Sequence, residues 1–61
     1  MITDIVNGKL IATDKGGGQP GMPWATVVFD ISTDELIDVK FYENEERARL
    51  GHWDAMNRRR N

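Results

Sequence analysis

Residues 24–31 read Trp-Ala-Thr-Val-Val-Phe-Asp-Ile and residues 36–42 read Leu-Ile-Asp-Val-Lys-Phe-Tyr. Both stretches alternate, which is typical of strands with one face toward a core. One of the two faces is uniformly apolar and comprises Ala25, Val27, Phe29, Ile31, Ile37, Val39 and Phe41. We therefore predict a β-hairpin over residues 24–42 that packs its apolar face in the core. Pairing of these faces requires odd positions opposite odd ones, so the loop is residues 32–34 or 32–36, and a loop of two or four residues is excluded.

A second hairpin is predicted over residues 1–13, on the N-terminal side. Asn7-Gly8 lies between two stretches rich in β-branched and apolar residues, and this dipeptide favours a tight hairpin turn. The resulting register places Ile5 opposite Leu10 on the predicted core face. The other face of this hairpin is mixed, since it pairs Asp4 with Ile11. Residues 14–23 contain four glycines and two prolines, so we expect them to form a mobile loop between the hairpins.

The last segment, residues 44–60, has the features of a helix. Asn44 is a favourable N-cap, acidic residues follow it, and arginines stand at the far end, as the helix dipole favours. Leu50, Trp53 and Met56 form a narrow apolar stripe that we expect to pack on the sheet, with Gly51 as a weak point where the helix could break. Together these segments predict one α+β domain over residues 1–61, with a four-stranded antiparallel sheet of two hairpins and a C-terminal helix on one face.

The composition limits the classes of function. With 61 residues and no cysteine, the chain is near the lower size for a single core and has neither disulfides nor thiolate metal sites. It has no long apolar run and no signal-peptide pattern, so we expect a soluble cytoplasmic protein that does not enter a membrane. Because the core is small, a second copy of the chain is one candidate partner.

The charge is distributed unevenly along the chain. Residues 1–46 hold three lysines and nine acidic residues, whereas residues 47–61 hold five arginines and one aspartate, for a net charge of −2. Such asymmetry indicates a surface suited to charged partners. We expect the partner to be a larger protein, contacted by aromatic and acidic side chains on the predicted non-core side and tip of the second hairpin: Trp24, Asp30, Asp34, Glu35, Asp38 and Tyr42.

The Arg58-Arg59-Arg60 cluster supports an alternative function. A basic cluster at a helix end can neutralise phosphates, so the second hypothesis is a nucleic-acid-binding accessory protein. The alternative is a purely structural role, in which the arginines form a solvated helix end that the helix dipole favours.

Catalytic and cofactor motifs are weak in this sequence. His52 and Ser32 are the only histidine and serine, and we expect a solvated helix residue and a turn residue rather than a catalytic pair. Gly16, Gly18 and Gly21 match the spacing of a dinucleotide-binding loop, but prolines and a strand follow them instead of a helix. We predict no enzyme activity, no cofactor and no metal. The sequence favours a non-catalytic module that masks or inhibits a larger protein, such as a phage- or mobile-element-encoded inhibitor of a host enzyme that handles nucleic acid.

Overall fold

The computed structural model describes residues 1–60, so Asn61, the last residue of the predicted domain, lies outside the described residues. The strands form one antiparallel sheet in the order β1-β2-β3-β4, and the helix packs against it. The α+β fold predicted from the sequence is confirmed. The elements are β1 (Ile2–Val6), β2 (Lys9–Gln19), β3 (Met22–Asp30), β4 (Glu35–Tyr42) and α1 (Glu45–Arg59).

The first hairpin has the predicted turn and register. Asn7 and Gly8 both adopt positive φ, at 48° and 76°, as a two-residue hairpin turn requires. Ile5 is paired with Leu10 and Asp4 with Ile11. The prediction of this hairpin from the Asn7-Gly8 dipeptide is therefore confirmed.

Residues 14–23 do not form the expected loop. β2 continues to Gln19 and β3 begins at Met22, so only Pro20 and Gly21 make the turn. The glycines fit a strand here because the two backbones approach closely: a Cβ on Gly18 would overlap the main chain of Met22 and Pro23. Residues 16–18 interrupt the register between the pairs Lys15–Trp24 and Gln19–Met22, so the glycines form a bulge within the hairpin.

The β3–β4 turn corrects the predicted loop length. Residues 31–34 connect the strands, a four-residue loop, and Asp34 adopts φ of 59°. Near the turn Phe29 is opposite Leu36, whereas further along Val28 is opposite Asp38, which leaves Ile37 as an extra residue. This β-bulge changes the parity within the hairpin, so the parity argument holds for the inner pairs and fails beside the turn.

The helix starts as predicted and does not break. The Asn44 side chain accepts a hydrogen bond from the Arg47 N–H at 2.9 Å. α1 continues through Gly51, where a Cβ would overlap the Tyr42 ring. Glycine at this position leaves space for Tyr42 to pack against the helix.

The sheet face that the helix covers is the reverse of the prediction. Ala48, His52 and Met56 are the buried residues of α1, whereas Leu50 and Trp53 are exposed. The helix lies over the mixed face of the sheet, which we call the covered face. By the strand pairing it bears Ile2, Asp4, Val6, Lys9, Ile11, Thr13, Lys15, Trp24, Thr26, Val28, Asp30, Glu35, Asp38, Lys40 and Tyr42.

Small side chains and complementary polar groups explain the reversal. Ala48 is fully buried, so the backbone of the helix lies close to the sheet. Met56 packs against Ile11 and Val28, and His52 meets hydroxyl groups on the sheet. His and Thr count as polar in a hydropathy pattern, so the pattern predicted that the helix would pack on the other face.

Within residues 1–60, no helix has both the length and the apolar composition needed to cross a membrane.

Candidate interaction surfaces

A chain of buried hydrogen bonds connects the helix to three strands. The Thr26 and Thr13 hydroxyl oxygens lie 2.6 Å apart, and Thr13 Oγ1 lies 2.7 Å from His52 Nδ1. On the other side of the ring, His52 Nε2 lies 2.8 Å from the Asp4 carboxylate. Because a carboxylate only accepts, Nε2–H donates to Asp4, and in a neutral ring Nδ1 accepts from Thr13. The contacts link α1 with β1, β2 and β3.

The order of carboxylate, imidazole and hydroxyl in this network is that of a hydrolytic triad, but the network is not accessible. Thr13 is 0% exposed and His52 is 2% exposed. A nucleophilic hydroxyl must reach a substrate carbonyl, and Thr13 instead contacts Thr26 and the ring. We interpret the network as a polar contact that fixes the helix on the sheet. The expectation that His52 is solvated was wrong.

Ser32 lies in a different part of the molecule from His52. Its hydroxyl donates to Asp30 at 2.7 Å in the β3–β4 turn. The structure therefore does not bring the only serine and the only histidine together. Among residues 1–60, no three histidine or acidic side chains gather into a group that could hold a metal ion.

The six residues predicted to contact a partner do not share an open face. Trp24, Asp38 and Tyr42 lie on the covered face and are half-buried. The expectation of an exposed, non-core side here was wrong, because that side is the one the helix packs on. Their role in partner binding stays a prediction.

Asp30 organises the β3–β4 turn. Its Oδ1 accepts hydrogen bonds from the N–H and hydroxyl of Ser32 and from the N–H of Thr33, and its Oδ2 lies 3.3 Å from Lys9 Nζ. These contacts favour the ionised form, with the Ser32 side chain contributing most, and lower the pKa of Asp30 to about 2. Asp34 and Glu35 are exposed at the same end of the sheet. Of the acidic groups at this tip, those two point into solvent.

An open groove runs between the start of the helix and the edge strand β4. Its volume is about 440 Å³, and it is lined by Met22, Phe41, Tyr42, Glu43, Arg47, Leu50, Gly51 and Asp54. Partial burial raises the pKa of the Tyr42 hydroxyl, and the carboxylates of Asp54 and Asp38 add to this rise. The hydroxyl is thus held neutral, as a hydrogen-bonding group rather than a charge.

Leu50 and Trp53 form an exposed apolar pair beside this groove. They are 60% and 58% exposed and stand three residues apart on the helix, where side chains are neighbours. Arg49 and Arg58 flank them and pair with Glu45 and Asp54 at 3.4 and 3.0 Å. We call Leu50, Trp53 and the groove the helix patch. The sequence analysis missed this patch because it placed both residues in the core.

The other side of the sheet is uncovered within residues 1–60, and we call it the open face. By the strand pairing it bears Thr3, Ile5, Leu10, Ala12, Asp14, Ala25, Val27, Phe29, Leu36, Val39 and Phe41. Of these side chains only Ala25 is buried. Ile5 is 67% exposed and Leu36 is 53% exposed. The predicted core face is therefore largely open.

The arginine cluster is partly engaged by the protein itself. Arg58 pairs with Asp54, and Arg59 is half-buried while its carbonyl accepts a hydrogen bond from the Asn7 side chain. Arg60 is the C-cap of α1. These contacts favour a helix end that is anchored at the β1–β2 turn, and phosphate binding by the cluster stays a prediction.

The glycine motif lies in the β2–β3 hairpin. Gly16 and Gly18 belong to β2, Gly21 is in the turn, and a strand follows. A phosphate site of the dinucleotide type needs the N-terminus of a helix directly after the glycines.

No family model matches this chain, and neither the comparison with curated proteins nor that with solved structures found a match.

Proposed function

We propose that the chain is a non-catalytic protein-binding module that masks a surface of a larger protein through the helix patch. The exposed Leu50–Trp53 pair carries this proposal. Tryptophan and arginine are enriched among the residues that dominate protein interfaces, and here both stand on a rigid helix. The adjoining groove offers a concave surface, and Tyr42 is one of its lining residues.

The charges around the patch suit a protein partner. Both acidic and basic side chains lie along the exposed helix, and two pairs, Glu45–Arg49 and Asp54–Arg58, are in contact with each other. A mixed rim of this kind gives specificity and orientation toward a protein surface. A nucleic acid would instead favour a continuous basic surface.

The buried position of Thr13 and His52 supports a non-catalytic role. A substrate would have to displace the helix to reach the only histidine in the chain. The exposed acidic residues Asp34 and Glu35 are the remaining support for an inhibitor of an enzyme that handles nucleic acid, since they could occupy a basic groove. The phage or mobile-element origin stays a prediction from the size of the chain.

The test is affinity capture of the tagged protein from a lysate of its native host after nuclease treatment, read by mass spectrometry. We expect a stoichiometric protein that survives nuclease. Trp53→Ala should weaken its binding by about 30-fold or more, the effect of losing a residue at the centre of an interface.

Ile31→Ala is the control, because Ile31 is also an exposed apolar residue, 50% against 58% for Trp53, but lies in the β3–β4 turn. Retention of the partner by Trp53→Ala, or equal loss with Ile31→Ala, would contradict the proposal. If recovery disappears with nuclease, the arginine cluster becomes the better candidate.

A further inference from the structure

The molecule leaves most of its large apolar side chains outside its core. The buried apolar cluster consists of Ile11, Val28 and Met56, with Val6 and Ala55 at its margin. The open face, in contrast, carries seven large apolar side chains: Ile5, Leu10, Val27, Phe29, Leu36, Val39 and Phe41. Contiguous exposed apolar surface of this kind marks an interaction site. The unusual feature is its position across a whole face of the sheet.

We propose that the open face is covered by a second copy of this chain, so that two sheets pack face to face in a symmetric dimer with the helices outside. This goes beyond the proposed function, because Leu50 and Trp53 stand on the helix, on the opposite side of the molecule, and stay accessible. Phe41 alone belongs to both the groove and the open face. The dimer would present two helix patches. Each could bind one partner protein.

The electrostatics of the open face favour self-association. It bears no lysine or arginine, and Asp14 is its only charged side chain. In a two-fold symmetric interface the same surface of both chains is in contact, so a face with charge of one sign would bring like charges together. Asp14 is paired with Ala25 midway along β2 and lies 3.8 Å from the N-terminal amine, which carries the opposite charge. The other open-face positions are neutral.

The size of the face also suits a second copy. The two larger dimensions of the molecule are 32 and 20 Å, so a flat projection of the sheet side is on the order of 600 Å². Side-chain relief makes the accessible area larger than the projection, near the roughly 800 Å² per partner of a stable interface. Two sheets pack in this way about 10 Å apart in a β-sandwich.

The experiment is sedimentation velocity of the full chain from low micromolar to several hundred micromolar. We expect a dimer, twice the chain mass of 6.9 kDa, for the unmodified protein. Ile5→Lys and Leu36→Asp place a charge on the open face at positions that are exposed in the monomer. Each should raise the dimer dissociation constant by at least about tenfold, while circular dichroism confirms the fold.

Leu50→Asp is the matched control for Leu36→Asp, since it makes the same substitution in the helix patch and should leave the dimer intact. A monomer at every concentration would overturn the proposal. So would a dimer that persists in both open-face variants, as edge-to-edge pairing of β4 predicts, or one that is lost with Leu50→Asp. A monomer that still captures a host protein would leave the proposed function standing.

An isotope-filtered NMR experiment on the unmodified protein tests the proposal if the variants fail to fold. In a mixture of labelled and unlabelled chains, we expect intermolecular contacts at the Val27 and Val39 methyl groups. Intermolecular contacts at other surfaces alone would contradict the sheet-to-sheet dimer.

Discussion

At the scale of single residues, Thr13 connects the helix to the sheet. Its hydroxyl contacts both Thr26 and His52 in a region closed to water. Removal of the hydroxyl leaves two buried polar groups without their partner, which costs more than an ordinary hydrogen bond contributes. The position is therefore far more sensitive than its small side chain suggests.

We expect Thr13→Val to lower the free energy of unfolding by about 1–3 kcal/mol, measured by urea denaturation. Valine preserves the shape, so the loss reports the hydrogen bonds. Thr33→Val makes the same chemical change at an exposed turn position and should stay within about 0.5 kcal/mol of the unmodified protein. Equal effects of the two substitutions would show that the buried network does not contribute.

Asp30 is a second residue with a defined local role. Its folded pKa of about 2 lies below its ordinary value of 3.8, so its contacts stabilise the fold above the ordinary value and are lost as the pH falls toward 2. We expect Ser32→Ala to raise the Asp30 pKa, measured by NMR titration, because the Ser32 hydroxyl is the largest cause of the lowering. Thr33→Ala should leave it low, since Thr33 donates through its main chain. The reverse order of effects would refute this assignment.

At the scale of elements, α1 and the edge strand β4 fit each other through Gly51 and Tyr42. The helix accepts a glycine that costs about 1 kcal/mol relative to alanine because a larger residue would displace the tyrosine. We predict coupling between the two positions. Gly51→Ala should raise the free energy of unfolding by about 1 kcal/mol in a Tyr42→Ala background and should fail to do so in the unmodified protein.

The measurement is a double-mutant cycle in urea. The same effect of Gly51→Ala in both backgrounds would show that the tyrosine does not require the glycine. Far-UV circular dichroism of each variant is the control that the helix is retained.

Local sequence signals predicted most element positions, and longer-range contacts account for the failures. Asn7-Gly8 and Asn44 act on their immediate neighbours, so the first turn and the helix start could be predicted. The bulge at Ile37 could not be predicted, because it arises where the pairing next to the turn differs by one residue from the pairing further along the hairpin. The strand through Gly18 was missed because a loop and a bulge within a strand favour the same residue.

At the scale of the whole molecule, the main uncertainty of the sequence was which face of the sheet the helix covers. Both faces carry apolar residues, and hydropathy favoured the uniform one. The structure places the helix on the mixed face because Thr13, Thr26, His52 and Asp4 satisfy one another there. None of these residues is apolar, so the pattern alone could not indicate a buried contact. The predicted partner-binding residues were misplaced for the same reason.

The proposals for function and dimerisation both depend on this orientation. With the helix on the covered face, Leu50 and Trp53 point outward and the open face remains available to a second chain. With the helix on the other face, both surfaces would be internal. Both proposals therefore fail if the helix packs on the open face.

The most direct test is the set of intramolecular NMR contacts of the Met56 methyl group and the His52 ring protons. We predict contacts from Met56 to the methyl groups of Ile11 and Val28, and from His52 to the Thr13 methyl group. Contacts from Met56 to Val27 and Phe29 instead would place the helix on the open face and contradict the orientation described above.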